Sequence, residues 1–163
     1  MIPVGPSPVK DFEEYALEAL WHELTHNRQK ISVLGGNTLD RRVLETVTQW
    51  TARRTYPELL QALGGRAAHQ ASIKSDGLGF PRRVRRFDRL LEALKIDESA
   101  ALREMRRLID MEDCDLYGDP LAGWLAKKSR KPKTAIQKAI LNSVYPRSPK
   151  QFESELRLLK LVR

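Results

Sequence analysis

Cysteine is almost missing from this sequence. Cys114 stands alone among 163 residues, so neither an intrachain disulfide framework nor a Cys-rich zinc module can form. Its neighbours Glu112, Asp113 and Asp115 disfavour a thiolate, which argues against a catalytic cysteine. Scarce thiols make a cytoplasmic location the default expectation. No apolar run approaches the roughly 20 residues needed to span a bilayer, and the first residues lack the basic start and apolar stretch of a secretory signal, so no membrane partner is expected. Strand signals and internal repeats of constant period are also scarce. Histidine is rare too, with only His22, His26 and His69. What remains is 41% apolar and 31% charged, the balance of a chain with one hydrophobic core.

The opening Pro3, Pro6 and Pro8 remove amide donors and allow at most a short strand at residues 2–4. Asp11, with Glu14 three residues later, has the form of a capping box and starts a helix to about Arg28. Phe12, Ala16, Leu17, Leu20, Trp21 and Leu24 recur on it at helical spacing. A short apolar segment follows, and Gly35-Gly36 breaks the chain. Asn37 or Thr38 caps a second helix running to about Tyr56, which Pro57 interrupts or extends as far as Gly64. Residues 66–81 read as a loop, with room for a short helix. Further helical patterns fall at roughly 82–95, 97–111, 119–129, 133–145 and 149–162. The fold expected is mainly α, with little or no sheet.

Within the first helix stands Trp21-His22-Glu23-Leu24-Thr25-His26, an HExxH motif. Residues four apart lie on one helix face about 6 Å up the axis, so two imidazoles can converge on one ion. Glu23 is rotated by about 100° from His22 and flanks that ion, where a base could take a proton from a water polarised by the metal. Two histidines leave zinc short of protein ligands. The glycine–histidine extension of the metzincins does not follow His26. The better third candidate is Glu45, separated from His26 by eighteen residues, on the helix that returns after Gly35-Gly36.

This arrangement resembles the gluzincins, the thermolysin-like zinc metallopeptidases, over roughly residues 11–56. The resemblance implies a zincin-type active helix followed by a glutamate helix. It implies a Zn2+ cofactor on His22, His26 and Glu45, Glu23 as general base and proton shuttle, and a polypeptide substrate. The match departs at Gln49. There many gluzincins carry an aspartate that buttresses a ligand imidazole, and an amide polarises the ring less. Residues 1–65 then form the metal-binding helical unit, 66–81 a connecting loop, and 82–163 a basic helical region packed on it. For an oxyanion donor the candidates are Tyr56, Arg53, Arg54 and His69, with His69 the single choice as a further catalytic residue. Peptidases of this sort bind substrate along a sheet edge that precedes the metal helix. Its absence here favours a piece of a longer polypeptide.

The positive charge is lopsided. Residues 1–80 hold nine basic and nine acidic side chains, whereas 81–163 hold twenty and twelve. Arg82, Arg83, Arg85, Arg86 and Arg89 form one run, and Lys127, Lys128, Arg130, Lys131 and Lys133 another. On a helix Val84, Phe87, Leu90, Leu91 and Leu94 face the core and the arginines point mostly outward. Nucleic acid or an acidic partner would suit both runs. No nucleic-acid motif accompanies them, and no aromatic residues interleave as a stacking platform needs, so a solvated face is the plainer reading. Two functions therefore compete. One is a zinc hydrolase, most simply a peptidase; the other is a non-catalytic basic helical module binding nucleic acid or an acidic partner.

Overall fold

The computed structural model describes residues 11–29, 38–110, 118–145 and 149–161, and among them all regular structure is helical. The Gly35-Gly36 reversal, the possible strand at residues 2–4 and the loop around Cys114 lie outside the described residues. In chain order the helices are α1 (Asp11–Asn27), α2 (Thr38–Ala62), α3 (Gln70–Asp76), α4 (Pro81–Ala93), α5 (Glu98–Ile109), α6 (Gly118–Ser129), α7 (Lys133–Val144) and α8 (Pro149–Leu161). None is long and apolar enough to cross a membrane. The expected boundaries hold to within about two residues, except that α2 passes through Pro57. A proline there forfeits the amide bond to the Arg53 carbonyl. The residues around it on α2, among them Arg53, Tyr56 and Leu60, are buried, and that packing carries the helix through.

The long α2 is the axis of the molecule. Its Val43, Leu44, Val47 and Trp50 join one buried cluster with Val84, Phe87 and Leu90 of α4, Met105 and Leu108 of α5, Leu121 and Leu125 of α6, Ile136 and Ile140 of α7, and Phe152 and Leu156 of α8. The glutamate helix and the basic region thus share a core. Residues 66–81 contribute the short α3, whose Ile73 packs with Tyr56 and Leu60 in a second, smaller cluster. Asp97 caps α5 by accepting the Ala100 amide at 3.0 Å. Pro81 opens α4 at a position where its missing amide costs nothing.

The first helix departs from the pattern its sequence implies. Apolar periodicity predicts Phe12, Leu20 and Leu24 facing inward, yet they are 64%, 50% and 39% exposed. The buried face is polar instead, with Glu14, Glu18, His22, Thr25 and Gln29 on successive turns. α1 lies antiparallel on α2, as the pairs Glu14–Tyr56, Glu18–Gln49 and His26–Glu45 require. Buried polar groups are tolerated where they find partners, and α2 supplies them in Glu45, Thr48, Gln49, Thr55 and Tyr56. Glu14 accepts the Tyr56 hydroxyl at 2.7 Å and the amides of Ala68 and His69. It is turned to the interior, and the capping box expected with Asp11 does not form through it.

Candidate metal centre

Because α1 turns its polar face to α2, His22 and His26 meet Glu45 in the interface. The two imidazoles stand edge to face with centroids 4.5 Å apart, and their Nε2 atoms are 3.0 Å from each other. Glu45 Oε2 lies 3.3 Å from His26 Nε2 and 3.5 Å from His22 Nε2. A metal held tetrahedrally with bonds of about 2.0–2.1 Å sets its donor atoms about 3.3 Å apart, so these separations fit one small cation. Donor type fits as well: two imidazoles and one carboxylate leave an open position of the kind catalytic zinc sites keep.

The orientation of His26 is imposed from outside the donor set. Thr48 Oγ1 accepts the Gln29 Nε2 at 2.7 Å, which turns Gln29 Oε1 toward His26 Nδ1, also at 2.7 Å. With Nδ1 donating to Gln29, the neutral ring has its Nε2 lone pair available to a metal, and the protonated ring donates from the same nitrogen to Glu45. Gln29 thus supplies the buttress that the resemblance placed at Gln49. Gln49 points elsewhere, donating to Glu18 Oε1. His22 Nδ1 is buried without a partner among the described residues, as is Glu18 Oε2.

Electrostatics follow this geometry. Hydrogen bonds from His22 and then His26, which outweigh burial, hold the Glu45 carboxyl down to about 2. Burial works against a charged His26, but its bonds to Glu45 and Gln29 prevail and its pKa is raised. Glu18, one turn before His22, is pushed up to about 7 because burial outweighs the favourable charges of Arg53 and His22. Glu23 is exposed, with Oε1 4.0 Å from His22 Nε2.

These groups line a cleft of about 370 Å³ whose walls include Glu18, His22, Glu23, Glu45, Gln49 and Phe80. The wall opposite α1 comes from the α3–α4 connection, seated by Arg53. This fully buried guanidinium donates to the carbonyls of Gly77 and Gly79 at 2.5 and 2.7 Å. At Gly79 a Cβ would stand 2.0 Å from Gln49 Oε1, so any side chain there requires the Gln49 amide to move. Phe80 follows in the left-handed region, at φ 47°, a strained conformation for a residue bearing a side chain.

The structure therefore brings His22, Glu23, His26 and Glu45 together. It does not bring the oxyanion candidates to the cleft lining. His69 stands at the start of α3 with its amide on Glu14, two turns along α1 from His22. Tyr56 is committed to Glu14, and burial together with that bond raises its pKa. Arg53 holds the α3–α4 connection. Arg54 pairs with Asp88 and Glu98 in a larger cleft of about 670 Å³, where Lys74 is paired too. That larger cleft holds none of the three donors, so the candidate metal group borders the smaller one.

Sequence reasoning passed over Glu18, Gln29 as a buttress, and Arg42, and counted Arg83 only as part of a basic run. Arg42 precedes Glu45 by one turn on α2, with its guanidinium 4.2 Å from the Tyr145 ring centroid. Arg83 lies 4.3 Å from the Phe80 ring centroid. Burial, with Arg42 acting in the same direction and Glu45 against it, holds Arg83 below the usual arginine range. For Glu18 a signal was present, since it stands four residues before His22 on the same face. Comparison of the chain with protein-family models, with curated proteins and with solved structures gives no match.

Proposed function

We propose that this protein is a zinc-dependent metallohydrolase that cleaves peptide bonds, with His22, His26 and Glu45 holding the metal and Glu23 acting as base. The observation that carries the reading is the meeting of three donor atoms at 3.0, 3.3 and 3.5 Å. Two imidazoles and a carboxylate also suit iron. The carboxylate of Glu23, free of the donor set and beside His22, favours hydrolysis over oxidation, because hydrolysis needs a base next to the attacking water.

Zinc, when bound, supplies a Lewis acid that polarises the scissile carbonyl and acidifies a water. The chain's own residues do the rest. Gln29 favours the neutral His26 tautomer whose Nε2 lone pair is available to the ion. Glu23 accepts a proton as water oxygen bonds to the carbonyl carbon. It then returns that proton to the amine nitrogen as the C–N bond breaks. Exposure of Glu23 suits this exchange, since its side chain reaches solvent.

Metal analysis of protein purified without added zinc tests the reading. About one equivalent is expected, His22→Ala should abolish it, and Glu23→Gln should keep the metal while losing at least a hundredfold in peptide turnover. Absence of zinc, combined with DNA binding that weakens steeply with salt, would instead favour a non-catalytic basic module.

A further inference from the structure

Most of the arginines with described contacts have found a carboxylate. Arg28 pairs with Asp110, Arg54 with Asp88 and Glu98, Arg85 with Asp76, Arg89 with Glu153, Arg106 with Glu58 and Arg107 with Glu104. Arg42 and Arg83 differ. Both are half-buried, neither makes an ion pair among the described residues, and each lies against an aromatic ring. A guanidinium stacked on a ring is held in place while its N–H edges stay free to donate. Their placement adds meaning. Arg42 shares a face of α2 with Glu45, and Arg83 rests on Phe80, which forms part of the cleft wall.

We propose that Arg42 and Arg83 form a subsite beside the metal-ligand group that recognises a carboxylate of the peptide substrate. The proposal rests on the hydrolase reading of the same cleft. The charge of Arg42 repels Arg83, and Glu45 acts on Arg83 in the opposite direction. Once Glu45 is committed to a metal ion its charge is spent there, and the two guanidinium groups are left uncompensated. An incoming carboxylate restores the balance with charge-assisted hydrogen bonds to fixed donors. The Glu23 side chain on the α1 wall is an acid and does not attract the same group. An acidic substrate is therefore directed to the end bordered by α4.

Binding in the Glu23→Gln background, where turnover does not intrude, tests the subsite by calorimetry. The probes are a capped pentapeptide with a central glutamate, the same peptide with glutamine, and the glutamine peptide with a free C-terminal carboxylate. Zinc-loaded protein should bind one carboxylate-bearing peptide about tenfold more tightly than the capped glutamine peptide, and which one it prefers identifies the source of the group. Arg42→Gln with Arg83→Gln should erase the preference at unchanged zinc content. Arg83→Gln alone should remove most of it should the double variant fold poorly. No preference, or one that survives the substitutions, overturns the proposal. Glu45→Gln separates this claim from the hydrolase reading, because it deletes a metal ligand and leaves both arginines. Preference retained there in a protein that never held zinc supports the subsite and rejects the hydrolase. Normal zinc and turnover without preference reject the subsite alone.

Discussion

Glu18 holds its proton to about neutrality, since burial penalises the carboxylate more than Arg53 and His22 favour it. An acid whose folded pKa exceeds its unfolded value stabilises the fold fully below the unfolded pKa, near 4.5, and loses that contribution as pH rises through about 7. In metal-free protein, Glu18→Gln should therefore gain stability relative to wild type between pH 4.5 and 8, by up to about 3 kcal/mol. Urea unfolding of both proteins at the two pH values checks this, and parallel profiles would reject it. Gln29 makes a different claim. Gln29→Ala removes the acceptor that favours the neutral His26 tautomer with Nε2 free and should weaken zinc binding by about 10- to 100-fold, read by chelator competition. An unchanged affinity would mean that Gln29 is only a helix-end contact. The motif His22-Glu23-Leu24-Thr25-His26 and the distal Glu45 were legible in the sequence because helix geometry alone places them. Gln29, Gln49, Arg42 and Arg83 were not, since their roles depend on partners brought from another helix.

At the scale of elements, seven of the eight helices followed from capping and apolar spacing, and α3 was foreseen only as a short possibility within a loop. The orientation of α1 was not legible. Its leucines and Phe12 are spaced as a core face, but the stripe one step around carries Glu14, Glu18, His22, Thr25 and Gln29, and all of these but Thr25 meet polar side chains of α2. A helix that buries its polar side has its orientation decided by pairing, and pairing is invisible until the partner is placed. The α3–α4 connection is a second element set by long-range contact. Gly79→Ala should drive a Cβ into Gln49 and cost about 1–3 kcal/mol, measured as a lower urea midpoint at constant slope. Unaltered stability would show that this wall is not seated on α2.

For the whole molecule, one buried cluster ties the glutamate helix to the basic region, so events at the metal group should register in global stability. Zinc at a hundredfold over its Kd should stabilise the fold by about 2.7 kcal/mol, raising Tm by roughly 5–10 °C in a chain of this size. Scanning calorimetry with zinc and with chelator reads the difference, and His26→Ala should show none. The lopsided charge is also a whole-molecule property. Many basic side chains of the second half are spent on ion pairs such as Arg89–Glu153, Lys133–Asp119 and Lys138–Glu155, which fits the solvated-face reading of much of that surface. The central claim is that two imidazoles and one carboxylate hold a single ion between α1 and α2. X-ray absorption at the zinc edge of the loaded protein tests it most directly. The expected spectrum has four light-atom ligands at about 2.0 Å with the outer-shell scattering of two imidazoles. A six-oxygen shell without imidazole scattering would contradict the account.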